Sequence, residues 1–303
     1  MTPTKDPQSK EAFKHRSENT SGSGAGSGAE SGSKKSSEAS FDPGPLLSLD
    51  TATKTASVAL IDPADKRILA RRDAPVRTHG KALVPLIQEA LEEAGLAAHA
   101  LAAVACGAGP GSFTGVRVGL ATAKGLCLID DLPLVLIPSL HALAARANAA
   151  RGEGARQASP RCEVLVAPCL DARRGEVYVS LLAFRPGAEI QTLLDARALP
   201  PAAALDALGE AAMKNAAGPK SVGLLGTGLS LLEEPLQGAK HRAVFDPRSD
   251  LDPWPDAGAM AAMAAEKLSR GYREELAAAQ PIYLRASDAE QNFNLDLSPS
   301  PSP

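Results

Sequence analysis

Gly109–Gly125 reads GPGSFTGVRVGLATAKG, a stretch dominated by glycine and other small residues. The apolar run before it, Leu101–Cys106, predicts a buried strand, and Val116–Ile129 predicts a helix. A strand, a glycine-rich loop and a helix N-terminus in this order point backbone N–H groups at a ligand or a partner. Ser112 and Thr114 are residues of the type that caps such a helix. The stretch therefore predicts a binding loop in an α/β protein.

The loop matches neither of two common phosphate-binding motifs. The dinucleotide pattern GxGxxG is absent, and no GK[ST] follows that would complete a P-loop. Glycine permits positive φ and a close approach of the backbone, and Pro110 fixes its own φ near about −65°. A tight strand-to-helix turn that only packs is the alternative interpretation of this loop.

The charge and the cysteines limit the classes of protein. The 303 residues carry a net charge of −3 and show no stripe of lysine and arginine, so tight nucleic-acid binding by this chain alone is not expected. No apolar run approaches the roughly 18 residues that span a bilayer. The four cysteines, Cys106, Cys127, Cys162 and Cys169, lie in apolar segments without CxxC spacing. They predict reduced, buried thiols of a cytoplasmic protein.

Both ends of the sequence predict disorder. Residues 1–44 are rich in serine and glycine and nearly free of apolar residues, so they cannot bury enough surface to offset their ordering entropy. The same segment lacks the apolar region of a signal peptide. Residues 287–303 are polar and are also expected to be disordered. The residues between the tails suffice for one large domain or two smaller lobes.

Hydrophobic periodicity predicts two α/β lobes, residues 45–150 and 151–286, separated by a Gly/Ser/Pro-rich linker at 151–161. Each lobe opens on a β-hairpin, and the last helix is expected to pack back on the first lobe. The predicted strands are Leu46–Asp50, Ala56–Ile61, Arg67–Val76, Leu101–Cys106, Leu134–Ile137, Glu163–Leu170, Glu176–Phe184 and Val222–Gly226. The predicted helices are His79–Ala94, Val116–Ile129, Ser139–Ala150, Pro201–Met213, Leu229–Leu236 and Asp256–Ser269.

The glycine-rich stretch, continued as GPGSFTGVRVGLATAKGL, resembles the signature of the TsaB (YeaZ) family. Other blocks match in the same order: LSLDTAT from Leu47 with ASVAL after it, HGKALVPLIQEALEEAGL from His79, and LDARRGEVY from Leu170. A late Tyr283-Leu284-Arg285 resembles the C-terminal YLR of the family. The resemblance extends over roughly residues 46–285.

This resemblance implies an α/β, actin/hexokinase/Hsp70-like duplicated fold, with two lobes that each carry a hairpin-led mixed sheet and flanking helices. It implies a cytoplasmic, non-catalytic subunit that supports TsaD and works with the ATPase TsaE. The implied complex transfers a threonylcarbamoyl group to N6 of adenosine 37 in tRNAs that read A-starting codons. A heterodimer with TsaD is expected, with a homodimer as an alternative, and tRNA is expected only through the complex. No tightly bound cofactor is expected, and ATP or ADP would bind only at the level of the complex.

A nucleotide-like cleft is the candidate site implied by such a fold. In related nucleotide-binding folds an acidic residue after the first strand approaches a phosphate or its metal, and Asp50 holds that place here. A second glycine-rich turn, around Gly226, precedes a helix. Asp and Thr also satisfy backbone N–H groups within turns, so a purely structural role is the alternative. The candidate cleft residues are Asp50, Thr51, Gly109, Gly111, Ser112, Thr114 and Gly226.

A metal site is not expected. The catalytic paralogue TsaD carries an HxxxH pair after the equivalent strand, and two histidines four apart share one helix face and can bind one ion. Ser139 and Leu143 stand at those positions here, and leucine cannot bind a metal. His141 lies between them on a different face of the helix, where typical family members have glutamate.

Two helices are predicted to form the partner interface, because the resemblance implies that they supply half of a four-helix contact. Gly119, Ala123 and Cys127 recur every four residues and form a stripe of small side chains. The alternative is that these residues face the chain's own sheet. The candidate interface residues are Leu83, Leu86, Ile87, Gly119, Ala123 and Cys127.

The rival interpretation is a stand-alone ATP-binding enzyme or a glycoprotease-like peptidase of the same fold. A kinase needs a carboxylate base and a fuller phosphate loop, and a metallopeptidase needs a metal site. The sequence offers neither. A homodimeric binding module that acts without TsaD is a third alternative.

Overall fold

The computed structural model describes residues 44–76, 79–150, 163–185, 188–215 and 221–285. The predicted tails, residues 1–44 and 287–303, lie outside these ranges apart from residue 44. The predicted linker and Cys162 lie outside them as well.

The first sheet follows from the hairpin-led pattern of the sequence. Its strands are β1 (Leu46–Asp50), β2 (Thr55–Asp62), β3 (Arg67–Pro75), β4 (Ala103–Gly107) and β5 (Leu134–Ile137). The spatial order is β3-β2-β1-β4-β5. Antiparallel pairing joins β1, β2 and β3, and parallel pairing joins β1, β4 and β5. Strand β4 begins two residues later than predicted, because Ala98–Ala100 form a 3-10 turn before it.

The second sheet repeats this arrangement. Its strands are β6 (Val164–Arg173), β7 (Glu176–Phe184), β8 (Gln191–Leu199), β9 (Val222–Leu225) and β10 (Phe245–Pro247). The order β10-β9-β6-β7-β8 again places three antiparallel strands beside two parallel ones. Strands β8 and β10 are not predicted from the sequence. β8 is a half-buried edge strand and β10 has only three residues, so both carry a weak periodic signal.

Six α-helices flank the sheets in the described ranges. They are α1 (His79–Ala94), α2 (Phe113–Asp130), α3 (Ser139–Ala150), α4 (Pro201–Lys214), α5 (Leu229–Gly238) and α6 (Ala257–Ser269). Helix α2 starts three residues before its predicted beginning, because Ser112 caps it by accepting a hydrogen bond from the N–H of Gly115 at 3.2 Å. Among the described residues, no helix is long and apolar enough to cross a membrane.

The two lobes exchange helices. Helices α1 and α2 cover one face of the first sheet, and α4 and α5 cover one face of the second. Helix α6 follows the second sheet but packs on the free face of the first, where Met260 shares one buried cluster with Ile61 and Val135. Helix α3 follows β5, and the sequence assigned it to the first lobe. In the structure, α3 instead packs on the second sheet, and Leu143 belongs to the buried cluster between them. The reason is that the apolar residues of α3 complement the apolar face of that sheet. The duplicated α/β fold with two hairpin-led mixed sheets confirms the predicted fold class.

Candidate functional site at the glycine-rich loop and the first hairpin

Asp50 ends β1 and is completely buried. Its Oδ1 accepts a hydrogen bond from the N–H of Ala52 at 2.8 Å, and its Oδ2 accepts one from the Ser139 hydroxyl at 2.5 Å. Burial raises the pKa of Asp50, and these two hydrogen bonds oppose that rise. Both carboxylate oxygens are therefore committed to groups of the chain itself.

Ser139, the first residue of α3, ties this carboxylate to the glycine-rich loop. Its N–H donates to the carbonyl of Gly109 at 2.7 Å, and its hydroxyl oxygen accepts from the N–H of Gly109 at 3.1 Å. Gly109 has a φ of +87°, which a residue with a side chain rarely adopts. The start of α3, the end of β1 and the loop are thus joined at one buried polar node.

The loop packs directly against the turn of the first hairpin. The N–H of Ser112 donates to the carbonyl of Ala52 at 2.7 Å, and the Thr51 hydroxyl donates to the carbonyl of Gly115 at 2.7 Å. A Cβ on Gly111 would lie 2.5 Å from the carbonyl oxygen of Ala52. Glycine is therefore required at Gly111 because another segment of backbone occupies the space where a side chain would begin.

Two further glycines make room for the candidate residues. A Cβ on Gly107 would lie 1.9 Å from Asp50 Oδ2, and a Cβ on Gly119 would lie 2.3 Å from the hydroxyl oxygen of Thr51. Sequence reasoning missed Gly107, which ends β4 and gives no motif signal. The sequence predicts Gly119 at the partner interface, but in the structure Gly119 lies against the first hairpin.

The residues of the predicted cleft are only partly brought together. Asp50, Thr51, Gly109, Gly111 and Ser112 form one contiguous contact. The side of α2 that carries Thr114 is exposed. Gly226 lies in the second lobe, where a Cβ would come 2.1 Å from the carbonyl oxygen of Cys169 and 2.8 Å from the side chain of Leu143. Helix α3 therefore connects the two parts of the predicted cleft, with Ser139 at one part and Leu143 at the other.

Three backbone N–H groups of this loop are not available to a bound phosphate. A phosphate-binding loop offers backbone N–H groups to the ligand, but the N–H groups of Gly109, Ser112 and Gly115 already donate within the chain. At these three positions the loop has the internal hydrogen bonds expected of a packing turn, the alternative interpretation of the sequence.

The residues at the paralogue's metal positions do not fit a metal ion either. The hydroxyl of Ser139 bonds to Asp50 and Gly109, and the side chain of Leu143 is buried carbon that packs on the second sheet. Within the described ranges, no group of three or more His, Cys, Asp or Glu residues could hold a metal. Burial and the nearby Lys267 ammonium lower the pKa of His141 to about 4, so this imidazole is neutral near pH 7.

The candidate interface residues need a correction. Of the six, Leu83, Leu86, Ile87, Ala123 and Cys127 belong to the core between the helices α1 and α2 and the first sheet, and Gly119 is also buried. Their periodicity arises because a helix packed on a sheet needs one small or apolar face. The exposed large apolar residues of α1 and α2 are instead Val84, Phe113, Leu128 and Ile129.

Sequence reasoning also left the C-terminal Tyr283-Leu284-Arg285 without a role. In the structure, Tyr283 accepts a hydrogen bond from Arg117 Nε at 2.7 Å, and Arg285 donates to Glu176 at 3.0 Å. No periodic signal could have placed these partners together, because they are separated by more than a hundred residues.

The two matching sheets, with exchanged helices α3 and α6, define a protein of the actin/hexokinase/Hsp70 class whose glycine-rich loop is packed against its own first hairpin. A profile of the family described as "TsaD: tRNA N6-adenosine threonylcarbamoyltransferase" matches residues 74–293. The solved structure of YeaZ from Pseudomonas aeruginosa superposes with a TM-score of 0.62 at 30% identity, covering 80% of this chain and 100% of that one. The chain belongs to the TsaB (YeaZ) family, which confirms the resemblance seen in the sequence.

Curated relatives carry the same family name. The chain is 42% identical over 135 residues to the tRNA threonylcarbamoyladenosine biosynthesis protein TsaB of Haemophilus influenzae, covering 45% of this chain and 52% of that protein. It is 38% identical over 133 residues to the TsaB of Escherichia coli strain K12, covering 44% and 52%. The chain thus spans about half the length of each of these two curated relatives.

Proposed function

We propose that this chain is a non-catalytic subunit in tRNA threonylcarbamoyladenosine biosynthesis. It would support TsaD in the transfer of a threonylcarbamoyl group to N6 of adenosine 37 of tRNAs that read A-starting codons. The observation that carries this proposal is the combination of TsaB family membership with a glycine-rich loop in which the N–H groups of Gly109, Ser112 and Gly115 donate within the chain.

The absence of catalysis in the proposal is supported by the chemistry of the candidate site. Asp50 is buried with both oxygens bonded within the chain, so it offers no free carboxylate as a base. Ser139 and Leu143 offer no pair of metal ligands. Asp50, Ser139 and Leu143 therefore supply neither a free base nor a metal in this proposal. In the proposal, ATP or ADP binds only at the level of the complex, and TsaE acts as its ATPase.

The exposed apolar residues on the outer surface of α1 and α2 support the proposal that this surface binds a protein partner. Leu128 and Ile129 are adjacent, with 71% and 77% of their surface exposed, and Val84 of α1 is half exposed. Leu128 and Ile129 form a contiguous exposed aliphatic pair, and contiguous exposed apolar surface is typical of an interaction site. We assign this surface to TsaD, with a second copy of this chain as its competitor. tRNA would be held by the complex, since the net charge of −3 disfavours binding by this chain alone.

The experiment is co-purification of tagged TsaD with three forms of this chain. The wild-type chain should be retained, and Leu128→Asp combined with Ile129→Asp should be lost, because two charges would be buried without partners. Met213→Asp is the control, since Met213 is also an exposed large apolar residue, 45% exposed, on α4 of the other lobe. Circular dichroism should show all three forms folded. Loss of binding in the Met213 variant, or its retention in the double variant, would contradict the assigned surface.

A second measurement separates this proposal from a stand-alone enzyme. In a strain depleted of its own TsaB, the content of N6-threonylcarbamoyladenosine in tRNA should recover with the wild-type chain and not with the double variant. Nucleoside mass spectrometry gives this content directly. Recovery by a variant that no longer binds TsaD, or ATP hydrolysis by the purified chain alone, would favour the rival enzyme.

A further inference from the structure

The last described segment, residues 280–285, crosses from the first lobe to the second. It begins on the first lobe, where the N–H of Ile282 donates to the carbonyl of Ala108 at 2.7 Å. The carbonyl oxygen of Ile282 lies 3.4 Å from the position that a Cβ on Gly109 would take. The segment therefore lies directly on the end of β4 and the start of the glycine-rich loop.

Tyr283 continues this contact at the N-terminus of α2. Its hydroxyl oxygen accepts from Arg117 Nε at 2.7 Å, and its ring centroid is 5.6 Å from that of Phe113. The guanidinium of Arg117 stacks on the ring of Phe113 at 3.7 Å. The guanidinium is also 5.5 Å from the ring of Tyr283, so a cation and two aromatic rings contact one another and fix Tyr283 to the first lobe.

The next two residues belong to the second lobe. Leu284 packs against the cluster that α3 forms with the second sheet. Arg285 Nη1 donates to Glu176 Oε2 at 3.0 Å, and Glu176 is the first residue of β7. This glutamate follows the hairpin turn that opens the second sheet, so Arg285 is tied to the second-lobe counterpart of the first hairpin.

We propose that residues 280–285 form a latch that holds the two lobes in one arrangement and covers the glycine-rich loop. The reach of the chain is the physical reason. Two residues of fully extended chain span at most about 7 Å, so Tyr283 and Arg285 cannot follow the lobes if these separate by more than a few ångströms. Opening the lobes must break one anchor or the other.

The anchors are of a kind that can be released. Phe113 and Tyr283 are 40% and 46% exposed, and the Arg285–Glu176 pair is partly exposed. Partly exposed ion pairs and stacked rings contribute little individually. The latch therefore keeps the lobes together by joining several weak contacts through one short segment, and loosening one anchor weakens the others.

Hydrogen exchange monitored by mass spectrometry tests the latch on the full chain. Combining Tyr283→Ala with Arg285→Ala should raise the exchange rate about tenfold at residues 107–112 of the first lobe and at residues 171–176 of the second. The matched control is Tyr272→Ala. Tyr272 is equally exposed, but its hydroxyl bonds to Glu274 two residues away, so it does not join the lobes.

A single substitution on the second lobe tests whether loosening the Arg285 anchor also loosens the contact with the first lobe. Glu176→Gln weakens the anchor of Arg285 and should raise exchange at residues 107–112, which it does not contact. If the double variant is unfolded by circular dichroism, Tyr283→Phe removes only the hydroxyl acceptor and should raise exchange at the same loop by about threefold. The proposal is overturned if faster exchange is confined to residues 280–285, or if Tyr272→Ala has the same effect as the latch variants.

Discussion

The hydroxyl of Ser139 donates to Asp50 Oδ2 at 2.5 Å and joins the start of α3 to the end of β1 inside the protein. Because the hydroxyl oxygen of Ser139 also accepts from the N–H of Gly109, this one serine satisfies both a buried carboxylate and the glycine-rich loop. Where the family resemblance implies a metal ligand in the paralogue, this chain thus has a structural hydrogen-bonding residue.

Ser139→Ala should lower the free energy of unfolding by about 1–3 kcal/mol, because it leaves a buried carboxylate oxygen without its donor. Chemical denaturation measures the loss. Ser269→Ala is the control, since the hydroxyl of Ser269 bonds to a carbonyl at the protein surface. Equal effects of the two substitutions would show that the buried node does not stabilise the fold.

The cost of Ser139→Ala should depend on pH. Burial raises the pKa of Asp50 above its ordinary value of 3.8, because it disfavours the ionised carboxylate. Ionisation of Asp50 therefore lowers the stability of the folded protein as the pH rises through the folded pKa. The Ser139 hydroxyl offsets this cost by donating to the ionised form. The difference in stability between wild type and Ser139→Ala should therefore be largest at neutral pH and smaller towards pH 4. A difference that grows on acidification would contradict this account.

Gly111→Ala should destabilise the protein by about 1–3 kcal/mol, because its Cβ would overlap backbone atoms of Ala52 that cannot move independently of the hairpin. Gly125→Ala lies in the same motif, but no atom lies within 4 Å of its Cβ position. In the middle of α2 this second change should be neutral or stabilise by about 0.5–1 kcal/mol. Urea denaturation of both variants compares them, and a similar loss in both would mean that Gly111 is not constrained by Ala52.

Ala123→Arg should prevent folding, whereas Ala121→Arg should leave the protein folded. Ala123 is completely buried against the first sheet, and Ala121 lies on the exposed side of the same helix. An unpaired guanidinium at the buried position would cost several kcal/mol. Circular dichroism and size-exclusion chromatography distinguish the two. A folded Ala123→Arg variant would place this residue at a surface after all.

His141 should titrate near pH 4 and remain neutral from pH 5 to 8, because burial and Lys267 lower its pKa to about 4. NMR titration of the imidazole signals checks this value. Lys267→Gln removes one of the two causes and should move the midpoint upward. Since the pKa of His141 is depressed in the folded state, this residue favours folding above its ordinary value of 6.5 and loses that contribution as the pH falls towards 4. A midpoint near 6.5 in the wild-type protein would show that the imidazole is solvated.

Local sequence was sufficient for the elements of the first lobe and for the class of the fold. The alternation in Leu46–Ile61 and the glycine-rich stretch before α2 are patterns of neighbouring residues, and neighbouring residues determine strand, turn and helix N-terminus. The same blocks of residues carried the resemblance to the TsaB family. The edge strand β8 was missed because its polar and apolar residues do not alternate regularly.

The placement of those elements depended on contacts between residues far apart in the chain. Helix α3 packs on the second sheet and α6 on the first, although chain order suggests the opposite for α3, because a helix binds the sheet face that its apolar side chains complement. The same non-local packing buried Ala123 and filled the space beside Gly111 with the backbone of Ala52. A periodic stripe or a glycine motif specifies which residues need close neighbours, and only the folded chain specifies that those neighbours come from the protein itself.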